Sequence, residues 1–240
     1  MCLATAIAGA IIIPFLPTVS SACWPYIAFS AVAECAYSAA LAKAYDAGQL
    51  AEVYPIARGS SPMLVTLGAL AIAHERLAPA ALLGIALVSA GILGVAFGRG
   101  RPNLPATITA LITGALIACY TVSDGLGARA SGSAVAYACW MLMVQGALMP
   151  FVFTVLRRKA PKLGFDFETA KNALGGVLSL VAYGVVVWAL ARAPMGQVSA
   201  LRETGILFAM IIGILFLKER PSRPQLISAA VIAAGAAILA

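Results

Sequence analysis

Apolar residues dominate nine long stretches of the chain, and short polar or charged segments separate them. The stretches cover residues 2–17, 24–44, 54–73, 79–98, 104–122, 134–156, 173–191, 197–217 and 224–240. Most of them approach the length of about 20 residues that an α-helix needs to cross a bilayer. Glycine and proline occur inside several stretches, as membrane helices tolerate. The pattern predicts an all-α polytopic membrane protein with about nine transmembrane helices.

The composition supports the same fold class. Hydrophobic residues make up 62% of the chain and charged residues only 10%, whereas soluble domains carry about 25% charged residues. The net charge of +7 does not indicate nucleic-acid binding, because the basic residues lie between apolar runs and form no stripe interleaved with aromatics. The five cysteines form no CxxC pair, so we expect neither a disulfide nor a metal site, and no cofactor.

An internal repeat appears when "RGSSPMLVTLGALAIAHER" is placed over "RETGILFAMIIGILFLKER". At a constant offset of 144 residues, Arg58 falls on Arg202 and the pair Glu75–Arg76 falls on Glu219–Arg220. The same offset pairs Gly91 with Gly235. These charged matches carry weight because charges are scarce in this chain.

The repeat has a consequence for topology. Five spans separate one copy from the other, and an odd number of crossings reverses the direction in which the copies run. We therefore predict two inverted-topology repeats, over residues 1–100 and 101–240, an architecture common among secondary transporters. In such proteins the substrate site lies near the middle of the bilayer, between the repeats.

Two segments also resemble a known family. The segment "YSAALAKAYDAGQLAEVYPIARGSSPMLV", followed by "HERLAPAALLGIALVSAGILG", and the later "WALARAPMGQVSALRETGILFAMIIGILFLKERPSRPQLISAAVIAAGAAIL" are similar to an EamA-type transporter of the drug/metabolite transporter superfamily. The resemblance implies ten helices in two five-helix repeats that move small metabolites or drugs. The first apolar run here would match the second helix of that plan, so the resemblance also implies that the first helix is missing.

Glu34 is the deepest charge in the predicted spans. It follows Trp24 by ten residues, about 15 Å of helix, which is half of a hydrocarbon core about 30 Å thick. Tyr37 lies one turn later on the same face. Glu34 is predicted either as a proton-coupling carboxylate or counter-charge for a substrate, or as a fixed partner for an arginine.

Arg58 and Arg202 occupy equivalent places in the two copies and are predicted to contact the substrate. Pro55 and Gly196 precede them as predicted helix breaks, and free N–H groups at such breaks favour anions. A carboxylate or phosphate on the substrate would suit these arginines. The alternative is structural: Glu203 neutralises Arg202, and Glu34 or Glu52 neutralises Arg58. The predicted substrate-binding set is Arg58, Arg202, Glu34, Tyr37 and Glu203.

Other classes of function fit less well. "HERLA" lacks the second histidine of a zinc protease motif, and His74 is the only histidine. Asp46 and Asp124 fall at predicted span ends, which argues against an intramembrane aspartyl protease. The chain has no Walker A motif, so ATP does not drive it directly. Glu75–Arg76 and Glu219–Arg220 are predicted to be structural residues at helix ends and turns.

We therefore predict a multi-pass protein of the inner (plasma) membrane that exports or exchanges a small polar metabolite by alternating access. A non-transporting assembly subunit or an inactive truncated transporter remains the alternative. The expected partners are the substrate, the lipid bilayer and, as an open alternative, a second copy in a homodimer. The loop 157–171 helps to make one membrane side rich in Lys and Arg, which puts the C-terminus outside, whereas the family resemblance favours a cytoplasmic C-terminus.

Overall fold

The fold of the described residues is entirely helical. The computed structural model describes residues 2–48, 50–97, 103–157, 167–218 and 221–240, and these ranges contain no β-strand. The pair Glu219–Arg220 and most of the loop 157–171 lie outside them. The α-helices are α1 Cys2–Ile12, α2 Trp24–Ala47, α3 Leu50–Ile72, α4 Pro79–Phe97, α5 Leu104–Ala130, α6 Ala134–Arg157, α7 Phe167–Leu190, α8 Met195–Glu203, α9 Gly205–Phe216 and α10 Arg223–Leu239.

Within the described ranges, six helical segments are long and apolar enough to cross a membrane. They are Ser21–Asp46, Pro79–Ala96, Leu104–Ala130, Ala134–Val155, Ala173–Leu190 and Met195–Phe216. Two shorter apolar helical segments, Cys2–Phe15 and Arg223–Leu239, flank them along the chain. The protein is thus an all-α polytopic membrane protein, and this part of the sequence prediction is confirmed.

Helix α3 differs from its prediction. It begins at Leu50 and continues through both Pro55 and Pro62, so the predicted break at Pro55 is wrong. A proline removes one hydrogen bond from the helical ladder, and neighbouring groups in membrane helices can take over the freed carbonyl. Pro62 frees the carbonyl of Arg58, and the Ser61 hydroxyl donates to that carbonyl at 3.1 Å. Arg58 therefore projects from an unbroken helix.

The second copy of the repeat is interrupted where the first is continuous. The predicted span 197–217 consists of α8 and α9, joined at Thr204. Gly196 lies in the first turn of α8, so the helix does begin near the predicted place. The interruption that bears on Arg202 comes after it, because Arg202 and Glu203 form the last turn of α8.

Contacts divide the chain into two compact units. The first comprises Met1–Ala36 and Ser123–Ala193, and the second comprises Tyr37–Val122 and Pro194–Ala240. Each unit combines segments from both predicted repeats. Because packing defines the units and sequence similarity defines the repeats, the repeat boundaries at residues 1–100 and 101–240 stay a prediction.

In the first unit, α1, α6 and α7 pack on one another. Its core is formed around the fully buried side chains of Tyr137, Met141 and Val187. At its edge the indole rings of Trp24 and Trp140 meet edge to face, with their centroids 5.0 Å apart. This core holds the N-terminal part of α2 and the end of α5 against α6 and α7.

In the second unit, α4 and α10 form a reciprocal, antiparallel pair. A Cβ at Gly91 would lie 3.0 Å from the Ser228 carbonyl oxygen and 2.7 Å from Ile232 Cγ1. A Cβ at Gly235 would lie 2.8 Å from the Gly84 carbonyl oxygen and 2.9 Å from the Val88 side chain. The offset of 144 residues converts each of these contacts into the other. The pair therefore packs around a local two-fold axis and needs glycine at both positions.

The turns after α3 and α9 share an unusual backbone conformation. His74 and Lys218 have φ angles of 52° and 55°, and they are the non-glycine residues with positive φ among those described. Their numbers also differ by 144. Matching contacts and matching turns support the internal repeat that the sequence predicts.

Candidate functional site

Two arginines and one glutamate meet in the second unit. Arg58 of α3 donates from Nη1 to Glu203 Oε1 at 3.1 Å. Arg202 of α8 donates from Nε to the same oxygen at 3.3 Å. Helices α3 and α8 pack directly on each other, which brings together residues 145 apart in sequence. We call Arg58, Arg202 and Glu203 the arginine–glutamate cluster.

Burial differs across this cluster. The Glu203 side chain is 3% exposed, that of Arg202 is 14% exposed and that of Arg58 is 25% exposed. Two guanidinium groups, which stay protonated in proteins, thus face a single carboxylate group. The cluster then carries a net charge of +1. Arg58 is the cation with the greatest access to a ligand.

Aromatic hydroxyl groups surround Arg58. The Arg58 guanidinium carbon lies 5.5 Å from the centroid of the Tyr54 ring, in cation–π range. Tyr37 and Tyr120 meet edge to face at 5.8 Å, and both lie within electrostatic range of Arg58. Tyr45 lies within the same range. A ligand at Arg58 would therefore find hydroxyl donors and aromatic faces beside the positive charge.

A second carboxylate fixes the start of α8. Glu75 Oε2 accepts a hydrogen bond from the backbone N–H of Met195 at 2.9 Å. The first N–H groups of a helix lack partners within the helix, and a carboxylate there also interacts favourably with the helix dipole. Glu75 was predicted as a structural residue of the turn, and it helps to position the helix that carries Arg202.

Sequence comparison identifies the family. Residues 104–240 match the model of the EamA-like transporter family, which is more than half of the chain. The chain belongs to the EamA-like transporter family. The resemblance seen in the sequence is thereby confirmed, and with it the assignment to a family of membrane transporters rather than enzymes.

Solved structures share the fold of this EamA-like protein. Fourteen solved chains match it. One of them is a crystal structure of a protein that is 19% identical, with a TM-score of 0.72, and the match covers 99% of this chain and 86% of the other. At that identity the match shows the fold alone. No curated protein matches the sequence.

The structure brings together most of the predicted site of the EamA-like protein. Arg58, Arg202, Glu203 and Tyr37 all belong to the second unit. Glu34 is half buried on α2 in the first unit. Glu203 binds both arginines rather than Arg202 alone, and the Glu52 side chain lies outside the described residues. The role of the five residues in substrate binding stays a prediction.

The structure corrects the predicted source of the positive field. The sequence placed both arginines near helix N-termini. Arg58 lies inside a continuous helix, and Arg202 lies at the C-terminal end of α8, where the dipole favours cations rather than anions. Attraction for an anion at this cluster must come from the guanidinium groups themselves.

Asp124 is the residue that sequence reasoning missed. It was predicted at the end of a span, but α5 continues to Ala130 and Asp124 is fully buried within it. The signal was present in "YTVSDGLGARA", where small residues extend the apolar pattern beyond residue 122. Its contacts are described below.

The first unit also contains an apolar groove of about 410 Å³. Side chains of α1, α6 and α7 line it, among them Ile12, Leu142 and Trp188. None of its lining residues is charged. A polar metabolite would lose its hydration there without gaining a partner, so the groove does not fit such a substrate.

Proposed function

We propose that the protein is a secondary transporter that exports or exchanges a small anionic metabolite by alternating access. Membership of a transporter family supports the transport function. The absence of a Walker A motif from the sequence supports a secondary mechanism, which uses an ion gradient or substrate exchange. The anionic class of substrate and the mode of transport are the parts of the proposal that need experiment.

The observation that carries the proposal is the excess positive charge of the arginine–glutamate cluster. Two guanidinium groups share one carboxylate oxygen at 3.1 and 3.3 Å. Inside a membrane protein, a charge without a counter-charge costs several kcal/mol of desolvation, so the excess guanidinium charge favours the binding of an anion. A substrate carboxylate or phosphate would balance it.

Arg58 is the residue expected to take the substrate anion. It is the most exposed member of the cluster, and a guanidinium can bind a carboxylate or phosphate through two parallel hydrogen bonds. The Tyr54 ring, whose centroid lies 5.5 Å from the guanidinium carbon, stabilises the cation beside the place proposed for the anion. Tyr37 and Tyr120 would donate hydrogen bonds to other polar groups of the substrate.

Arg202 and Glu203 are expected to position Arg58 and to respond to the substrate. An anion at Arg58 competes with Glu203 for the same donors, so binding weakens the link between α3 and α8. Such a link, present in one state and weakened in the other, is what a substrate needs to shift a conformational equilibrium. Glu34 keeps its predicted alternatives of coupling carboxylate, counter-charge or structural partner.

Transport by purified protein in liposomes tests this proposal. The probes are radiolabelled lactate, succinate and inorganic phosphate, with labelled choline as a cationic comparison. Uptake of one or more anions is expected in the wild type and is expected to fall at least tenfold in Arg58→Ala. Arg58→Lys should retain the charge but lose two-pronged binding, and so retain only part of the uptake.

Arg223→Ala is the matched control, because Arg223 is an exposed arginine at the start of α10. It should transport at the wild-type rate. Equal uptake by Arg58→Ala and wild type in folded, inserted protein would refute the role of Arg58. Transport of choline alone would refute the anionic class, and transport of no probe would favour the non-transporting assembly subunit.

A further inference from the structure

A second polar centre lies in the first unit, and its carboxylate is not part of the substrate-binding set predicted from the sequence. Asp124 of α5 is fully buried. Its Oδ1 accepts a hydrogen bond from the Tyr137 hydroxyl of α6 at 3.0 Å, and its Oδ2 accepts one from the Tyr183 hydroxyl of α7 at 2.6 Å. Both carboxyl oxygens thus have a phenol partner from a different helix.

The surrounding residues hold this arrangement in place. Gly127, one turn after Asp124, leaves the space for the Tyr137 ring, because a Cβ there would collide with the ring and hydroxyl. The Ser30 side chain of α2 is hydrogen-bonded to Tyr137. The Ser123 hydroxyl donates to the Tyr26 carbonyl at 3.2 Å and ties α5 to α2. Four helices therefore contribute to the centre.

The chemistry of the two phenol partners differs from that of arginine. A guanidinium can only donate hydrogen bonds, so it has no acceptor for the O–H group of a protonated carboxylic acid and favours the ionised carboxylate. A phenol hydroxyl can donate to a carboxylate or accept from a carboxylic acid. Asp124 can therefore gain or lose a proton while its hydrogen bonds to Tyr137 and Tyr183 are kept.

We propose that Asp124 is a proton-binding site and that the proton taken up there drives transport. The second half of this statement rests on the proposed transport function; the first does not. A proton from water adds to a carboxylate oxygen and forms the carboxylic acid. The new O–H group donates to one tyrosine oxygen, whose own hydroxyl hydrogen turns away, and release reverses these steps. No other reactant is consumed.

Access for the proton runs by way of Tyr183. Tyr137 is fully buried, whereas Tyr183 is only partly buried and forms the shorter hydrogen bond to Asp124. A phenol that touches both the carboxylate and a less buried region is placed to relay a proton by exchange of hydrogen bonds. Proton transfer through hydroxyl groups requires such hydrogen-bond contact.

Other titratable groups of the same unit could also contribute to a pH-dependent signal. On the helices that form this unit, the structure describes Cys2, Cys23, Tyr26, Glu34, Cys35, Arg129, Tyr137, Cys139, Lys171, Tyr183 and Arg192. Phenols, thiols, lysine and arginine ordinarily change charge only in alkaline solution. Among the described side chains of this unit, Glu34 is the other carboxyl that has to be distinguished from Asp124.

Infrared difference spectroscopy of the purified protein tests proton binding without a substrate. Spectra at successive pH values should contain a carbonyl band of a buried protonated carboxyl group that disappears as the pH rises. The band should be lost in Asp124→Asn and kept in Glu34→Gln and in Asp46→Asn, which removes an exposed aspartate. Loss of the band in Glu34→Gln, or its persistence in Asp124→Asn, would overturn the assignment.

Tyr183→Phe covers the case in which Asp124→Asn fails to fold. This variant keeps the carboxyl group and removes one hydrogen bond, so the band should shift in frequency and disappear at a different pH. An unchanged band and an unchanged transition would show that the titrating group is not the one bound by Tyr183. Tyr26→Phe, which leaves both Asp124 hydrogen bonds in place, should match the wild type.

Transport in liposomes then tests whether this proton drives the substrate. With an anion that the wild type transports, a pH gradient should produce accumulation in the wild type. In Asp124→Asn, accumulation should be lost while exchange of labelled for unlabelled anion continues. Gradient-driven accumulation equal to the wild type would overturn the coupling role. If the wild type transports none of the probes, the transport function fails, and the infrared result still decides proton binding.

Discussion

Among the described side chains, two carboxylates are buried, one in each compact unit, and their partners differ. Glu203 accepts hydrogen bonds from the guanidinium groups of Arg58 and Arg202. Asp124 accepts hydrogen bonds from the hydroxyls of Tyr137 and Tyr183. The two residues are almost equally buried: Glu203 is 3% exposed and Asp124 is 0% exposed. Burial alone therefore does not distinguish them.

The hydrogen-bond donors around a buried carboxylate decide whether it serves as a structural link or can change its protonation state. Two cationic donors make Glu203 a structural link between α3 and α8, which in our proposal an anionic substrate loosens. Neutral hydroxyl partners allow Asp124 to exist in two protonation states. We therefore assign substrate recognition to the arginine–glutamate cluster and proton binding to the Asp124 centre, and the following experiments test that division.

The largest effect is expected from Glu203→Gln. The substitution removes the negative charge shared by two largely buried guanidinium groups, and breaking a buried ion pair costs about 3–5 kcal/mol. Chemical unfolding in mild detergent should show this loss, with Asp46→Asn, at an exposed carboxylate, close to the wild type. A stability equal to the wild type would mean that the cluster is not a structural link.

Gly127→Ala is expected to have the next largest effect, about 1–3 kcal/mol, because the added methyl group overlaps the Tyr137 ring. The variant moves Tyr137 away from Asp124 without changing either polar residue. Gly184→Ala is the matched control, since a Cβ at Gly184 meets nothing within 4 Å and alanine favours the helix. The two variants are compared by unfolding; equal stabilities would argue against the close packing of Tyr137 on α5.

Asp124→Asn is expected to lower the free energy of unfolding by about 1 kcal/mol, which is less than the loss expected for Glu203→Gln. The amide oxygen can accept from one tyrosine, and the amide nitrogen can donate to the other. Unfolding of both variants under the same conditions measures the difference. An equal or larger loss for Asp124→Asn would indicate that Asp124 needs its negative charge, which contradicts a site with two protonation states.

The smallest effect is expected at Tyr54. Tyr54→Leu removes the aromatic face beside Arg58. The binding free energy of the anion should fall by about 0.5–1 kcal/mol, which corresponds to a few-fold rise in KM. Tyr54→Phe keeps the ring and should behave like the wild type. Transport assays over a range of anion concentrations separate the two. If both variants raise KM equally, the hydroxyl rather than the ring contributes to binding.

Much of the fold could be predicted from local patterns. The length and spacing of apolar runs predict membrane helices. A helix in lipid forms all its backbone hydrogen bonds internally and presents mainly apolar side chains to the hydrocarbon. The offset of 144 residues anticipated the reciprocal contacts of Gly91 and Gly235 and the matching turns at His74 and Lys218. Helix continuity at Pro55 was mispredicted: α3 continues through this proline, and whether a proline breaks a membrane helix depends on its surroundings as well as on the residue itself.

For the candidate sites too, the sequence predicted some features and only the tertiary packing decided others. Scarcity of charge was enough to select Arg58, Arg202, Glu34 and Glu203 from the sequence, since each charge in an apolar span demands a partner or a function. Sequence reasoning could not show that Arg58 and Arg202 share Glu203, because Arg58 and Glu203 are 145 residues apart and only the packing of α3 on α8 joins them. Asp124 likewise meets partners 13 and 59 residues away. Composition and periodicity decide that a buried charge must be satisfied, whereas three-dimensional packing decides which group satisfies it, and so what the charge can do.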